Sequence, residues 1–122
     1  MIELKNVNKI YKTKAEEIHI LKNVNLSFSK GNFVSIQGKS GSGKTTLLNI
    51  LGLLDVPTNG DMLIDDKLIN YKDEKIKNKI RNEKMGFVFQ FHYLLNEFTA
   101  LENVMMPALI NKKFNKKEVR EK

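Results

Sequence analysis

The sequence predicts an α/β domain, because a strand pattern comes first and a glycine-rich loop with an apolar helix follows. Val24, Leu26 and Phe28 alternate with polar residues, which is typical of a half-buried strand. The glycine-rich loop lies between a short apolar run at 33–36 and an apolar segment at 45–54. The chain has 122 residues, 41% hydrophobic and 29% charged, which is a globular composition with room for a modest core.

The charge and the absence of cysteine narrow the function classes. Lys and Arg number 21 against 14 Asp and Glu, a net charge of +7. Without cysteine, disulfides, cysteine-ligated metal sites and thiol catalysis are excluded. The sequence contains no signal-peptide pattern and no apolar run of ~18 residues, so we expect a soluble cytoplasmic chain. Basic residues cluster at 72–84 and 112–122 and are mixed with acidic ones, which favours solvated faces, and no nucleic acid is expected as a partner.

Before the loop, the pattern predicts three strands. Ile2, Leu4 and Val7 indicate a strand that ends at Tyr11, and a polar loop follows at 12–17. The second strand is the alternating segment described above, and Lys30-Gly31-Asn32 forms a turn after it. The apolar run at 33–36 is expected to be a more buried strand that leads into the loop.

After the loop, residues 45–54 are apolar on most sides and predict a buried helix, which ends in the segment 55–60. Residues 62–64 and 68–69 flank Asp65-Asp66-Lys67 and predict a hairpin. The charged stretch 72–84 predicts a surface helix, with Ile76 and Ile80 one turn apart. Residues 86–90 predict another buried strand.

The last part of the chain contains two helix starts. Thr99 and Glu102 have the spacing of a capping box, so a helix should begin there, and Pro107 should kink or stop it. Asn115 with Glu118 indicates a further helix start shortly before Lys122. A helix cut after about two turns is marginal in water, so we expect the chain to be the N-terminal part of something longer.

The strongest motif is a complete phosphate-binding loop (P-loop), G-x-x-x-x-G-K-[ST]. Its residues are Gly38, Lys39, Ser40, Gly41, Ser42, Gly43, Lys44 and Thr45. Glycines let backbone N–H groups face phosphate oxygens, and the following helix adds the positive end of its dipole. Lys44 supplies a charge for the β- and γ-phosphates of a nucleotide, and the Thr45 hydroxyl is placed to ligate Mg²⁺. The motif leaves kinases, GTPases and transport ATPases open.

The sequence around this loop resembles that of the ATP-binding cassette (ABC) transporter ATPases. Residues 40–48 resemble their Walker A loop, although most members have Ser where Thr45 stands, and residues 85–90 resemble the strand that leads into their Q-loop. Residues 21–26, 31–33 and 57–60 also fit the family. The similarity of residues 90–107 is greatest to the lipoprotein-releasing, macrolide-export and cell-division members of the family.

The resemblance implies a role for each site residue. Tyr11 would stack on the adenine of ATP. Residues 38–46, which include Thr46, would bind the phosphates, and Lys44 and Gln90 would be the catalytic residues. Thr45 and Gln90 would approach Mg²⁺. The resemblance also implies that the segment 91–95 lines a groove for a transmembrane permease subunit, while core packing is an equally good interpretation of its apolar residues.

The resemblance further implies a fold and a set of partners. We expect a P-loop NTPase of the ABC-ATPase type with an antiparallel β subdomain, incomplete at its C-terminus. Residues 1–122 would hold the β subdomain, the P-loop core and the start of a helical subdomain near residue 91. Partners would be permease subunits and a second nucleotide-binding subunit, and the chain would lie peripherally on the cytoplasmic side of the inner membrane.

The sequence also departs from the family pattern. The LSGGQ-type signature, the Walker B acids and the switch histidine are not among these residues. Asp66 stands where relatives often have a turn glycine, and Asp tolerates left-handed geometry. We therefore expect weak or no ATP hydrolysis by these residues alone. The alternatives are a transport ATPase subunit, a truncated nucleotide-binding fragment without hydrolysis and, less favoured, a small kinase.

Overall fold

The computed structural model describes residues 1–110, which contain one four-stranded antiparallel sheet and three helices. The strands are β1 (Ile2–Lys12), β2 (Glu17–Phe28), β3 (Asn59–Ile64) and β4 (Lys67–Leu68), in the order β2-β1-β3-β4. The helices are α1 (Lys44–Leu51), α2 (Glu74–Lys84) and α3 (Ala100–Ile110). The chain divides into two compact units at Lys77, and each is described separately below. The helix expected after Asn115 falls outside the described residues.

Strand β1 lies between β2 and β3 in the sheet, and its backbone is bulged. Leu4 pairs with Leu26 of β2 and with Met62 of β3. The pairing then shifts register, and Asn6, inside the shift, has a φ of +50°. One extra residue in a strand reverses the alternation of its side chains. Leu4 and Val7 are therefore both buried although they are three positions apart.

A close approach of two backbones fixes how β3 meets this bulge. Gly60 has a φ of +94°, and a Cβ there would lie 2.5 Å from the carbonyl oxygen of Asn6 and 2.6 Å from Val7 Cα. No side chain fits in that space, so glycine is required by contact as well as by conformation.

The core of the first unit lies between this sheet and α1. Its apolar members are all less than a tenth exposed: Leu4, Val7, Leu21, Leu47, Ile50, Leu53, Met62, Ile64 and Ile69. Burial of each such side chain contributes about 1.5–3 kcal/mol to the free energy of unfolding. This core holds α1, and with it the loop that precedes α1, against the sheet.

The hairpin and the surface helix predicted from the sequence are confirmed. Asp65 and Asp66 connect β3 to β4 with φ values of +49° and +62°, which is the geometry of a two-residue hairpin turn. Asp66 adopts the left-handed conformation expected of it. Helix α2 begins after Asp73, whose carboxylate accepts a hydrogen bond of 3.0 Å from the Ile76 N–H.

Two predicted strands are wrong. Neither 33–36 nor 86–90 belongs to the sheet, and Phe33 and Val88 are fully exposed rather than buried. A short apolar run shows that a segment is suited to burial, whereas a strand forms only beside a hydrogen-bonding neighbour. Among residues 1–110 no strand pairs with either segment.

Helix α1 is shorter and less buried than predicted. It ends at Leu51, with Gly52 at its C-terminus, rather than at residue 54. Leu47 and Ile50 are buried, whereas Leu48 is 55% exposed and Leu54 is 47% exposed. The helix has one apolar face in contact with the core, whereas Leu48 and Leu54 are not covered fully by any neighbour among the described residues.

The second unit is described from residue 78 to residue 110 and contains α3. The predicted capping box is present: the Thr99 N–H donates to Glu102 Oε2 at 2.9 Å, and the Glu102 N–H donates to Thr99 Oγ1 at 3.3 Å. Pro107 does not stop α3, which continues to Ile110. Asn82 Nδ2 of α2 donates to the Pro107 carbonyl oxygen at 3.0 Å.

Candidate functional site

The glycine-rich loop is closed by the lysine at its end. The Lys44 ammonium donates to the carbonyl oxygens of Gly38, at 2.9 Å, and Lys39, at 2.7 Å. The Ser42 N–H donates to the Lys39 carbonyl oxygen at 3.2 Å, which forms a turn inside the loop. Gly41 and Gly43 have φ values of +76° and +90°. This wrapped backbone is the conformation that a phosphate-binding loop needs.

Helix α1 presents an uncapped N-terminus to this loop. Gly43 is the N-cap residue, no side chain caps the helix, and its first turn contains no acidic residue. The first-turn N–H groups and the dipole are therefore not compensated by protein anions. Thr45 is exposed and Thr46 half-buried on the same turn. An anion at this end would satisfy the first-turn N–H groups.

The loop is fitted closely to strand β2. A Cβ on Gly43 would lie 3.0 Å from Ile20 Cγ2 and 3.1 Å from Leu21 Cδ2. Gly43 thus permits the beginning of α1 to approach the sheet, and Leu21 is one of the buried core residues. The sequence motif predicts the glycine, and the structure supplies the contact that explains it.

These features fit a nucleotide phosphate chain. The loop residues 38–42 are exposed, their backbone is curved by glycines, and the helix that follows lacks a capping anion. Among the described residues no group of three or more His, Asp or Glu side chains could hold a metal. A Mg²⁺ bound with a nucleotide needs fewer protein ligands, because phosphates and water complete its shell.

Tyr11 lies in a polar cluster on the first unit. Its hydroxyl donates to Asp55 Oδ2 at 2.9 Å, and the Lys9 ammonium forms an ion pair with Asp55 Oδ1 at 2.7 Å. The Lys9 ammonium also donates to the Val56 carbonyl oxygen at 2.6 Å and lies 4.8 Å from the centroid of the Tyr11 ring. The Tyr11 residue remains 40% exposed. One ring face meets a cation, and the ring stays accessible for stacking.

The carboxyl group of Asp55 titrates below its ordinary range. Burial raises its pKa, but hydrogen bonds from Lys9, Tyr11 and the Val56 N–H, together with the Lys9 charge, outweigh this effect. The net result is a pKa below the ordinary value of 3.8. Asp55 is therefore ionised at neutral pH.

A pH dependence of stability follows from this lowered pKa. A carboxyl group whose folded-state pKa is depressed adds stability above its unfolded pKa and loses that contribution as the pH falls. When the pH is lowered from about 5 to about 3, we expect the free energy of unfolding to fall less in Asp55→Asn than in the unsubstituted chain. Urea denaturation at several pH values measures this, with Asp66→Asn, which changes an exposed turn residue, as the charge-matched control. Parallel pH curves for the Asp55 variant and the unsubstituted chain would contradict the expectation.

Gln90 lies in the second unit, within an exposed apolar segment between α2 and α3. The rings of Phe89 and Tyr93 meet edge to face with centroids 5.2 Å apart, and Phe91 contacts Tyr93 at 6.5 Å. Phe91 is 64% and Tyr93 is 69% exposed. Within the described residues, these rings are therefore not packed in a core. The roles of Gln90 in catalysis and metal binding stay predictions.

Sequence reasoning missed Lys9 and Asp55. The strand pattern gives no role to Lys9, and Asp55 is marked only as the first residue of the segment that ends a helix. Their ion pair joins residues 46 positions apart, and it buries Lys9 to 8% exposure. No local spacing indicates such a contact, because the bulge in β1 decides which side chains face inward.

The geometry of the loop and of α1 defines the class: this is a protein with a nucleotide-type P-loop. The family follows from comparison with known sequences, since a family model described as ABC transporter matches residues 21–122. The chain belongs to the ABC transporter family. Among the described residues, no helix combines the length and apolar character needed to cross a bilayer.

Individual relatives agree with this assignment. The lipoprotein-releasing system ATP-binding protein LolD of Aquifex aeolicus is 57% identical over 103 residues, which cover 84% of this chain and 46% of LolD. The uncharacterized ABC transporter ATP-binding protein MJ0796 of Methanocaldococcus jannaschii is 54% identical over 109 residues, which cover 89% of this chain and 46% of that protein.

Solved structures confirm the fold class. The dimeric post-hydrolysis state of the MJ0796 cassette bound to ADP and phosphate matches with a TM-score of 0.90 and 49% identity, over 99% of this chain and 53% of that one. The cbiO1 protein of Clostridium perfringens, part of the transporter complex cbiONQ, matches with a TM-score of 0.74 and 29% identity, over 98% of this chain and 46% of that one. The chain thus spans about half the length of the relatives it matches.

Proposed function

We propose that this chain is the ATP-binding part of an ABC transporter, which binds Mg-ATP to power export or lipoprotein release at the cytoplasmic membrane. The observation that carries the proposal is the closed loop 38–45, with the Lys44 ammonium turned into it at the uncapped end of α1. The similarity to the LolD relatives, which are ATP-binding proteins of lipoprotein-releasing systems, supports the lipoprotein-release part.

Each site residue has a defined part in this proposal. Backbone N–H groups of residues 38–46 bind the phosphates, and Lys44 neutralises the β- and γ-phosphate charge. A bound Mg²⁺ would neutralise phosphate charge, and the Thr45 hydroxyl and the Gln90 amide oxygen are the side-chain groups that would hold it. Gln90 also orients the attacking water. Tyr11 holds the adenine by stacking.

The binding proposal is tested by thermal unfolding with and without nucleotide. A ligand that binds the folded state alone stabilises it by about 2.7 kcal/mol when present at about 100 times its Kd. We therefore expect Mg-ATP to raise the melting temperature of the chain. An unchanged melting temperature at millimolar Mg-ATP would contradict the proposed function.

Substitution of Tyr11 distinguishes stacking from a merely structural tyrosine. Loss of base stacking costs about 1–3 kcal/mol, so Tyr11→Ala should weaken Mg-ATP binding by about 5- to 150-fold. Tyr11→Phe retains the ring and should weaken it by less than about 5-fold. Calorimetric titration of both variants measures the difference. Equal losses would argue against stacking.

The proposed partners are transmembrane permease subunits and a second nucleotide-binding subunit, on the cytoplasmic face of the inner membrane. The exposed aromatic segment at 91–95 supports a docking surface for a permease helix. Because the chain has no cysteine, a Tyr93→Cys variant carries a unique thiol for cross-linking to a permease in membrane vesicles. We expect a cross-linked product with Tyr93→Cys and none with the exposed Lys67→Cys control. Absence of the Tyr93→Cys product would count against this surface.

A further inference from the structure

Asp55 connects the two halves of the proposed nucleotide site within the first unit. Its backbone N–H donates to the Asn49 carbonyl oxygen of α1 at 3.1 Å, and its side chain accepts the Tyr11 hydroxyl at 2.9 Å. Helix α1 begins at Lys44, in the loop that would hold the phosphates. One residue thus joins the helix that follows the phosphate loop to the ring that would hold the base.

The orientation of the Tyr11 ring is fixed on its inner side. The Lys9 ammonium lies over the ring and is itself held by Asp55 Oδ1, at 2.7 Å, and by the Val56 carbonyl oxygen, at 2.6 Å. Lys9 is 8% exposed, so this cation lies against the inner face of the ring and is shielded from solvent. One face of the ring contacts a buried cation, and its hydroxyl is bound to a carboxylate. The opposite face is therefore held in one orientation, in which it is available to a base.

The backbone beside Tyr11 is fixed by the same segment. The Ile10 N–H donates to Thr58 Oγ1 at 2.9 Å, and the Thr58 N–H donates to the Asn8 carbonyl oxygen at 2.8 Å. Residues 55–58 therefore hold the end of β1 through backbone and side-chain contacts. The ring position is determined by this segment and not by the strand alone.

We propose that Asp55 is a positioning residue of the adenine site, which holds the Tyr11 ring in its stacking orientation and joins it to helix α1. This inference rests on the proposed function. Asp55 would act on the base through Tyr11, because its side chain is engaged by Lys9, Tyr11 and the Val56 N–H. A loose Tyr11 ring must be ordered when the base binds, and that ordering lowers affinity. The effect is therefore specific to ligands that carry a base.

The test compares Mg-ATP with magnesium tripolyphosphate, which presents the phosphates without a base. Titration calorimetry is carried out on the unsubstituted chain, Tyr11→Phe, Asp55→Asn and the double variant. Asp66→Asn is the charge-matched control. Tyr11→Phe removes the hydroxyl and leaves the Lys9–Asp55 ion pair intact, so it remains informative if Asp55→Asn unfolds the chain.

We expect each single variant to bind Mg-ATP about threefold more weakly, as loss of one hydrogen bond predicts. The double variant should bind no more weakly than Asp55→Asn, because both substitutions remove the charge-assisted hydrogen bond between the Tyr11 hydroxyl and the Asp55 carboxylate. Tripolyphosphate affinity should stay the same in all variants.

Three results overturn the inference: unchanged Mg-ATP affinity in both single variants, parallel losses for tripolyphosphate, or losses that multiply in the double variant. If the unsubstituted chain binds neither ligand, the proposed function fails and the inference fails with it. If it binds both and Asp55→Asn changes neither affinity, the inference alone fails.

Discussion

Replacement of Lys44 by Ala is expected to weaken Mg-ATP binding by about 100-fold or more. Hydrogen bonds to charged groups are worth about 1.5–3 kcal/mol each, and the ammonium would bind two phosphate groups. In the structure the same ammonium holds the carbonyl oxygens of Gly38 and Lys39, so the substitution also removes the link that closes the loop. Both effects act in the same direction, against the phosphate-binding conformation.

The measurement is calorimetric titration with Mg-ATP, supported by the nucleotide-dependent rise in melting temperature. Lys67→Ala removes the same charge from an exposed position in β4 and should bind as the unsubstituted chain does. Lys44→Arg keeps the charge but not the compact ammonium, so it separates charge from fit. Undiminished affinity in Lys44→Ala would remove the basis of the nucleotide-site assignment.

The site was more predictable than the strands around it. The spacing of the P-loop motif determines local geometry, because glycines, a lysine and a helix start act within eight consecutive positions, and this loop has the wrapped form expected of it. The roles of its residues in binding stay predictions until the variants are measured. The hairpin at Asp65 and the capping box at Thr99 are likewise short-range features, and they are confirmed. The antiparallel sheet, which pairs Ile2 with Ile64, is expected only from the family resemblance, and it is confirmed as well.

The errors in prediction concern features that depend on contacts with residues distant in the sequence. Residues 33–36 and 86–90 have strand propensity, but propensity supplies no hydrogen-bonding neighbour. The Lys9–Asp55 pair could not be predicted for a related reason: it joins two elements whose relation is set by a bulge. Pro107 lies within α3, so the loss of one backbone N–H donor does not end this helix.

Replacement of Gly60 by Ala is expected to lower the free energy of unfolding by about 3 kcal/mol or more. The φ of +94° costs an L-residue about 1–3 kcal/mol. In addition, the new Cβ would lie 2.5 Å from the Asn6 carbonyl oxygen and 2.6 Å from Val7 Cα. Both atoms belong to the backbone of β1, so relief requires the central strand to move.

Chemical denaturation and the melting temperature measure this loss, which corresponds to a fall in Tm of about 10 °C or more. Gly31→Ala is the matched control, because Gly31 has a φ of +84° but a Cβ there would meet nothing within 4 Å. Gly31→Ala should lower the free energy of unfolding by about 1–2 kcal/mol, which is the conformational cost alone without the steric contact. Equal losses in the two variants would show that the approach of β3 to β1 adds nothing. A larger loss for Gly60→Ala would show that glycine is required there by the close packing of β3 on the bulge of β1. This packing lies next to the Thr58 contacts that hold the end of β1 at Tyr11.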